Sequence, residues 1–420
     1  VTADETAYAR ALFEQLFAEL SAIGLDEHGA TTRLAWTPEA AAAAAWFDRA
    51  ARRLGLEPEV EVDRNGNRWA WSGNPTAGAT VTGSHLDSVR EGGRFDGALG
   101  VVVGLVAVHL LRRRGIEAPL AVVTFADEEG GRYDTPTFGS RAMLGSLDVP
   151  AILERRDREG VALRDALAGA GLDPGQVGRD PERLSQIGAF IEVHIEQDTL
   201  LRERDRVLAL GTKILPHGRW RLDLHGEASH AGTTPLAIRR DPMLTLAAAI
   251  GATRRIAGEE QTLATIGKLE VSPNATNAIA ERVSLWLDVR GDSDVLVQRT
   301  VERIHAAVLE DADASGIGVE LNRESFVAAV RFSPPLRSRV AAVLAQQGID
   351  DVPMGTGAGH DAGALAAAVP TAMLFVRSAN GASHSARELA SVEDCVLAIG
   401  ALAEVLAALT RQTVKVGGDG

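Results

Sequence analysis

The chain has a single cysteine, Cys395, among 420 residues. That excludes an internal disulfide and fits a reducing compartment. It has no excess of positive charge: 43 basic against 57 acidic residues leave a net charge of −14. Nucleic acid and anionic membrane surfaces are therefore poor partners. It has no long apolar run, since the longest, Val101 to Leu111, is too short to span a bilayer. The opening Val1-Thr2-Ala3-Asp4-Glu5 lacks the basic-then-apolar order of a signal peptide, so the expected compartment is the cytoplasm. There is no internal repeat, and the one low-complexity stretch is the alanine run 40–45, which reads as helix. What is left is an ordinary globular composition, 45% hydrophobic and 24% charged. The chain is too long for one typical core, so two domains are expected.

Periodicity supplies the elements. Leu12, Leu16 and Leu20 with Phe13, Phe17 and Ile23 mark an amphipathic helix over 5–23. Thr37-Pro38 opens a second helix running to Gly55. Glu59 to Val62, the turn Arg64-Asn65-Gly66-Asn67 and Arg68 to Trp71 read as a hairpin. Ala79 to Gly83 is a buried strand, followed by an apolar helix from Ala98 to Arg114. Leu120 to Phe125, Ala189 to Ile195 and Thr371 to Val376 are further buried strands, and Val392 to Leu409 is a closing helix. Residues 135–185 are less regular, with a helix over Val161–Ala170 and a polar loop over Pro174–Arg183. Near Gly211 the character changes. Trp220 to His225 and Val283 to Arg290 alternate apolar and polar, as half-exposed antiparallel strands do. With helices at 241–257 and 293–311 and strands at 262–271 and 317–326, the order is β-α-β-β-α-β, that of a ferredoxin-like unit. The expected fold is α/β: a catalytic domain (1–211 and 329–420) with a mainly parallel sheet flanked by helices, interrupted by a ferredoxin-like α+β domain (212–328).

The residues that carry chemistry cluster at strand ends. His85, Asp87 and Asp96 follow one strand, and Glu128-Glu129 follow the next. His194 closes a third, and His384 lies beyond a fourth. Open α/β sheets place ligands at such edges. Histidine and carboxylate donors without cysteine suit zinc, manganese, cobalt or nickel. His109 and His305 fall on helices and read as ordinary residues. His217 and His360 sit in loops and are either supporting residues of the site or unremarkable loop histidines.

Gly83-Ser84-His85-Leu86-Asp87-Ser88, Phe95-Asp96-Gly97 and Asp127-Glu128-Glu129-Gly130 resemble the two-metal peptidase family that includes aminoacylase and carboxypeptidase G. Glu192 to Gln197, Gly226 to Pro235, Pro273-Asn274-Ala275-Thr276-Asn277 and Gly381 to Ser385 resemble its hydantoinase/carbamoylase branch. That branch acts on N-carbamoyl-L-amino acids, allantoate and 3-ureidopropionate. The resemblance implies two divalent ions bridged by Asp96, with His85 and His194 completing one site and Glu129 and His384 the other. It implies Glu128 as general base, a role that spacing alone does not separate from Glu129, and Asp87 holding the His85 ring from behind. It implies substrate contacts from Gln197, His230, Asn277 and Arg290, with His230 donating to the oxyanion from the lid of a neighbouring subunit in a homodimer. It also implies a cis peptide after Asp96. The expected reaction is hydrolysis of the ureido C–N bond of a small carboxylate, most readily an N-carbamoyl-L-amino acid. Allantoate or 3-ureidopropionate is the alternative substrate, and N-acyl-amino acid or dipeptide hydrolysis stands behind these. A non-catalytic binding protein would lack one of these groups, and none is missing.

Overall fold

Six consecutive apolar or β-branched residues make Leu120–Phe125 a strand buried at every position, and Thr371–Val376 is the same. Such strands must lie inside a sheet covered on both faces. The computed structural model describes residues 2–56, 60–75 and 77–416, with no side-chain detail for 411–416. In it the chain separates into two compact units, Val1–Thr212 with Arg331–Gly420, and Lys213–Val330.

In the first unit, four parallel strands lie side by side in the order Leu120–Phe125, Ala79–His85, Ile187–Ile195 and Thr371–Val376. Antiparallel strands extend the sheet on both sides, Arg68–Ser72 beyond the first and Leu208–Ile214 beyond the last. Parallel registry aligns the strand ends: His85 sits opposite Phe125, and His194 opposite Phe375. The C-terminal ends therefore form one edge, and the loops leaving it bear the candidate ligands.

The helix Ala98–Arg113 is buried nearly all round, packed between the sheet and the helices Ala3–Ser21 and Val392–Val416. Burying each Val or Leu there contributes roughly 1.5–3 kcal/mol. The preceding Gly97 has φ +64°, and a Cβ there would run into the His85 imidazole. The Phe-Asp-Gly sequence is thus a steric requirement of the site as well as a turn. The helix Pro38–Arg53 starts as its sequence predicts, with the Thr37 hydroxyl accepting from Ala40 N. The hairpin forms with Val62 opposite Arg68; Glu59 lies outside the described residues.

The irregular region holds more helix than its sequence suggests. Phe138–Leu144 and Pro181–Gln186 are helical, and Asp180 caps the second by accepting from Arg183 N. Both are too short for a periodic apolar pattern.

The second unit has a four-stranded antiparallel sheet in the order Gly318–Val327, His217–His225, Arg282–Arg290, Leu263–Ser272, with the helices Pro242–Glu260 and Asp294–Ser315 packed against it, and a separate two-stranded pairing of Ser229–His230 with Ala278–Ile279. No helix among the described residues is long and apolar enough to cross a membrane.

Candidate metal centre

Asp96 is the hub. It is buried, and its two carboxylate oxygens face different histidines. Oδ1 lies 3.0 Å from His194 Nε2 and 3.8 Å from His85 Nε2. Oδ2 lies 3.2 Å from His384 Nε2, which is also 3.6 Å from Glu129 Oε2. Two groups result, each with donor atoms within 4.8 Å of one another: His85, Asp96 and His194, and Asp96, Glu129 and His384. One carboxylate is common to both.

The imidazoles are held by their far nitrogens. His194 Nδ1 donates to the Ile195 carbonyl at 2.9 Å, and His85 Nδ1 to the Asp87 carbonyl at 3.0 Å. Each bond turns the Nε2 side of the ring toward the centre. The Asp87 carboxylate is not the clamp on His85 that the resemblance implies, since it stands 3.7 Å from Nδ1. It accepts instead from Glu128 N at 3.2 Å and Glu129 N at 3.1 Å. Asp87 thus fixes the backbone of the Glu-Glu pair, and its own main chain fixes His85. The implied cis bond after Asp96 is absent: the one cis peptide among the described residues is Ser272–Pro273.

Electrostatics mark the place as cation-seeking. Asp87, Asp96, Asp127, Glu128 and Glu192 are all buried, and Glu129 nearly so. Burial, with Asp361 and Glu129 close by, pushes the Glu128 carboxyl well above its usual range. Burial and Asp96 raise Glu129 to about 7. Burial opposes ionisation of Asp96, but the hydrogen bonds from His194 and His384 outweigh it and hold that carboxyl well below the ordinary value. Contact with Asp96 in turn lifts His384 to about 9. Glu129 Oε1 is buried and has no hydrogen-bond partner. Crowded buried carboxylates are costly unless cations compensate them. The donor set, two imidazoles and a shared carboxylate beside a carboxylate and an imidazole, fits a pair of divalent ions.

Other groups complete the surroundings. Gln197 donates to Asp96 Oδ2 at 3.3 Å and to Ser383 Oγ at 3.0 Å. His360 is buried, with its ring edge-on to His194 at 4.4 Å between centroids and its Nε2 unpartnered. Burial holds its pKa well below normal. Glu192 accepts from Ser84 Oγ and Ala362 N, and with His194 and His360 forms a further group of potential ligands. Sequence reasoning passed over Glu192. Its signal was a carboxylate facing inward two residues before His194 on a buried strand.

His230, Asn277 and Arg290 belong to the second unit. There a two-stranded pairing puts His230 opposite Ala278, and Ala231 N donates to the Asn277 carbonyl. His230 Nδ1 accepts from Gly232 N at 3.1 Å, which leaves the proton on the exposed Nε2 as a donor. Arg290 sits opposite His217 in the main sheet, with its Nε 3.1 Å from Asp288 Oδ1.

Converging imidazoles and carboxylates at the C-terminal edge of a parallel sheet form candidate ligand clusters for a two-metal hydrolase. The chain belongs to the peptidase family M20/M25/M40, whose model matches residues 81–408. It is a hydrolase of amide or ureido C–N bonds. It is 36% identical over 387 residues to an N-carbamoyl-L-amino acid amidohydrolase of Geobacillus stearothermophilus, covering 91% of this chain and 94% of that one. It is 30% identical over 394 residues to an allantoate amidohydrolase of Bacillus subtilis, covering 92% and 94%. Among solved structures, a hydantoinase/carbamoylase family amidase from Burkholderia ambifaria matches with a TM-score of 0.85 at 30% identity, covering 96% and 97%.

Proposed function

We propose that the protein hydrolyses N-carbamoyl-L-amino acids, releasing ammonia, carbon dioxide and the free amino acid. The observation that carries this reading is the shared-carboxylate centre in a chain 36% identical to an N-carbamoyl-L-amino acid amidohydrolase. In this reading His85, Asp96 and His194 hold one divalent ion, and Asp96, Glu129 and His384 the other. Such ions supply Lewis acidity toward a carbonyl and lower the pKa of a water. Glu128 takes the proton from the attacking water and passes it to the leaving nitrogen. Its burial raises its pKa above the ordinary carboxylate value, the direction wanted of a group that both accepts and gives a proton. Arg290 grips the substrate carboxylate, and Gln197 and Asn277 read the ureido amide.

We place His230 in the active site of a second subunit. Arg290 closes one end of the four-stranded sheet, whereas His230 and Asn277 belong to a separate two-stranded pairing that the chain forms beyond the other end, past His225 and before Arg282. The eight residue steps from Arg282 to Arg290 span about 26 Å at roughly 3.3 Å per residue. One small substrate cannot touch both ends, so a site that uses both draws on two lids. Leu236, Ile238 and Leu244, all exposed on this unit, supply apolar surface for such a pairing.

A second reading, allantoate hydrolysis, is favoured by the 30% identical Bacillus subtilis relative. Ammonia release from N-carbamoyl-L-amino acids, allantoate, 3-ureidopropionate, N-acyl amino acids and dipeptides, each with manganese, zinc, cobalt and nickel, decides between them. We expect the highest kcat/KM on an N-carbamoyl-L-amino acid. A higher value on allantoate or a dipeptide overturns the assignment.

A further inference from the structure

Glu388 is a buried carboxylate outside the ligand set, 2% exposed. Its Oε2 accepts from two consecutive backbone amides, Phe95 N and Asp96 N, each at 2.9 Å. These amides lie just ahead of the helix Ala98–Arg113, whose first turn has no side-chain cap from its own N-cap residue, Gly97. The carboxyl that holds the approach to this helix arrives from the far end of the sequence. Glu388 also follows His384 by four residues in a tight loop, where Glu388 N donates to the Ser385 carbonyl and Asn380 Nδ2 to the Arg387 carbonyl. One side chain thus ties the loop that presents His384 to the backbone that presents Asp96. Gly93 makes room for it, because a Cβ there would collide with the Glu388 carboxyl.

We propose that Glu388 is a positioning residue that sets the spacing between the shared carboxylate of Asp96 and the imidazole of His384. Asp96 must aim one oxygen at each half of the centre, and its side chain takes its direction from its own backbone. Two hydrogen bonds from adjacent amides to one carboxyl oxygen pin that backbone against rotation. Because the acceptor rides on the His384 loop, any drift of one ligand carries the other with it. This inference rests on the two-ion reading of the site.

The test is titration of the ion-free protein with manganese or zinc by calorimetry, alongside steady-state kinetics. In Glu388→Ala we expect the weaker of the two ions to bind about 10–100-fold less tightly, the range for lost outer-shell partners. We expect kcat to fall about tenfold or more with KM within about twofold, as for lost alignment of reacting groups. Glu388→Gln keeps an acceptor oxygen for both amides and should recover ion affinity to within about threefold of wild type. Gly93→Ala, which displaces the carboxyl without removing it, should reproduce the loss. If Glu388→Ala does not fold, Gly93→Ala and Glu388→Gln carry the same comparison. Wild-type affinity for both ions in Glu388→Ala or in Gly93→Ala overturns the proposal, as does equal loss in the Gln and Ala variants. Failure of the wild-type chain to bind two ions overturns the metal reading instead.

Discussion

The two units handle functional residues in opposite ways. In the first, Ala79–His85, Leu120–Phe125 and Thr371–Val376 are buried at every residue. Parallel strands end on one edge, so residues far apart in sequence converge there, and packing on both faces fixes where each loop begins. In the second, Leu263–Ser272 and Gly318–Val327 are exposed or half-buried throughout. Antiparallel strands alternate direction, so their loops leave from both ends, and His230 and Arg290 fall at opposite ends. A parallel sheet gathers ligands into a centre. An antiparallel sheet sends its loops to both ends, and the proposed role of His230 in a second subunit follows from that separation.

Removing the ions should separate the units most sharply. Chelation should abolish turnover and lower the melting temperature, with lost hydrogen-exchange protection confined to the loops after His85 and Phe125. A ligand at 100 times its Kd stabilises by about 2.7 kcal/mol. Comparable protection loss across Lys213–Val330 would erase the contrast.

Glu128→Gln tests the centre from inside. Turnover should fall about 10²–10⁴-fold with two ions still bound. Lost ions, or a near-normal kcat, would show that Glu128 and Glu129 have been given each other's roles.

Mixing inactive Glu128→Gln with inactive His230→Ala tests the lid. If His230 serves the neighbouring subunit, random exchange of equal amounts leaves roughly a quarter of all sites intact. No recovery, with exchange verified by mass spectrometry, would return His230 to its own subunit and leave it capping the Gly232 turn.

The smallest effect belongs to the surface of the first unit. The hydrogen bond from Arg114, with one from Thr2 N, lowers Glu5 from 4.5 to about 2. A depressed folded-state pKa adds stability above the unfolded value and loses it as pH falls through the folded one. Glu5→Gln should therefore cost under about 1 kcal/mol at pH 7, since the pair is only half-buried and solvent still screens it. The gap should close as pH drops from 4.5 toward 2. A gap that persists in acid would rule out the ion pair as its source.

Much of this was legible in the residues. Continuous apolar runs announced the buried strands, and the alternation in Trp220–His225 announced the half-exposed ones. His85, Asp87, Asp96, Glu128, Glu129, His194 and His384 stood out as imidazoles and carboxylates at or just beyond the ends of apolar strands, while the assignment of ions to five of them came from the family resemblance. The short helices Phe138–Leu144 and Pro181–Gln186 were not legible, because two turns hold too few residues to show a period. Glu388 was not legible either: nothing near it in sequence hints that its partners are Phe95 and Asp96, 293 and 292 residues away.

By itself, then, the sequence determined which segments must be buried, where they end, and which donor types wait there, because those follow from local polarity and periodicity. Only the tertiary structure decided which group holds which. It gave the His85 ring to the Asp87 carbonyl and the Asp87 carboxylate to the amides of Glu128 and Glu129. It set His360 edge-on to His194 and brought Glu388 under Asp96. Those pairings depend on directions and distances of about 3 Å between segments remote in the chain, and local polarity carries no record of them.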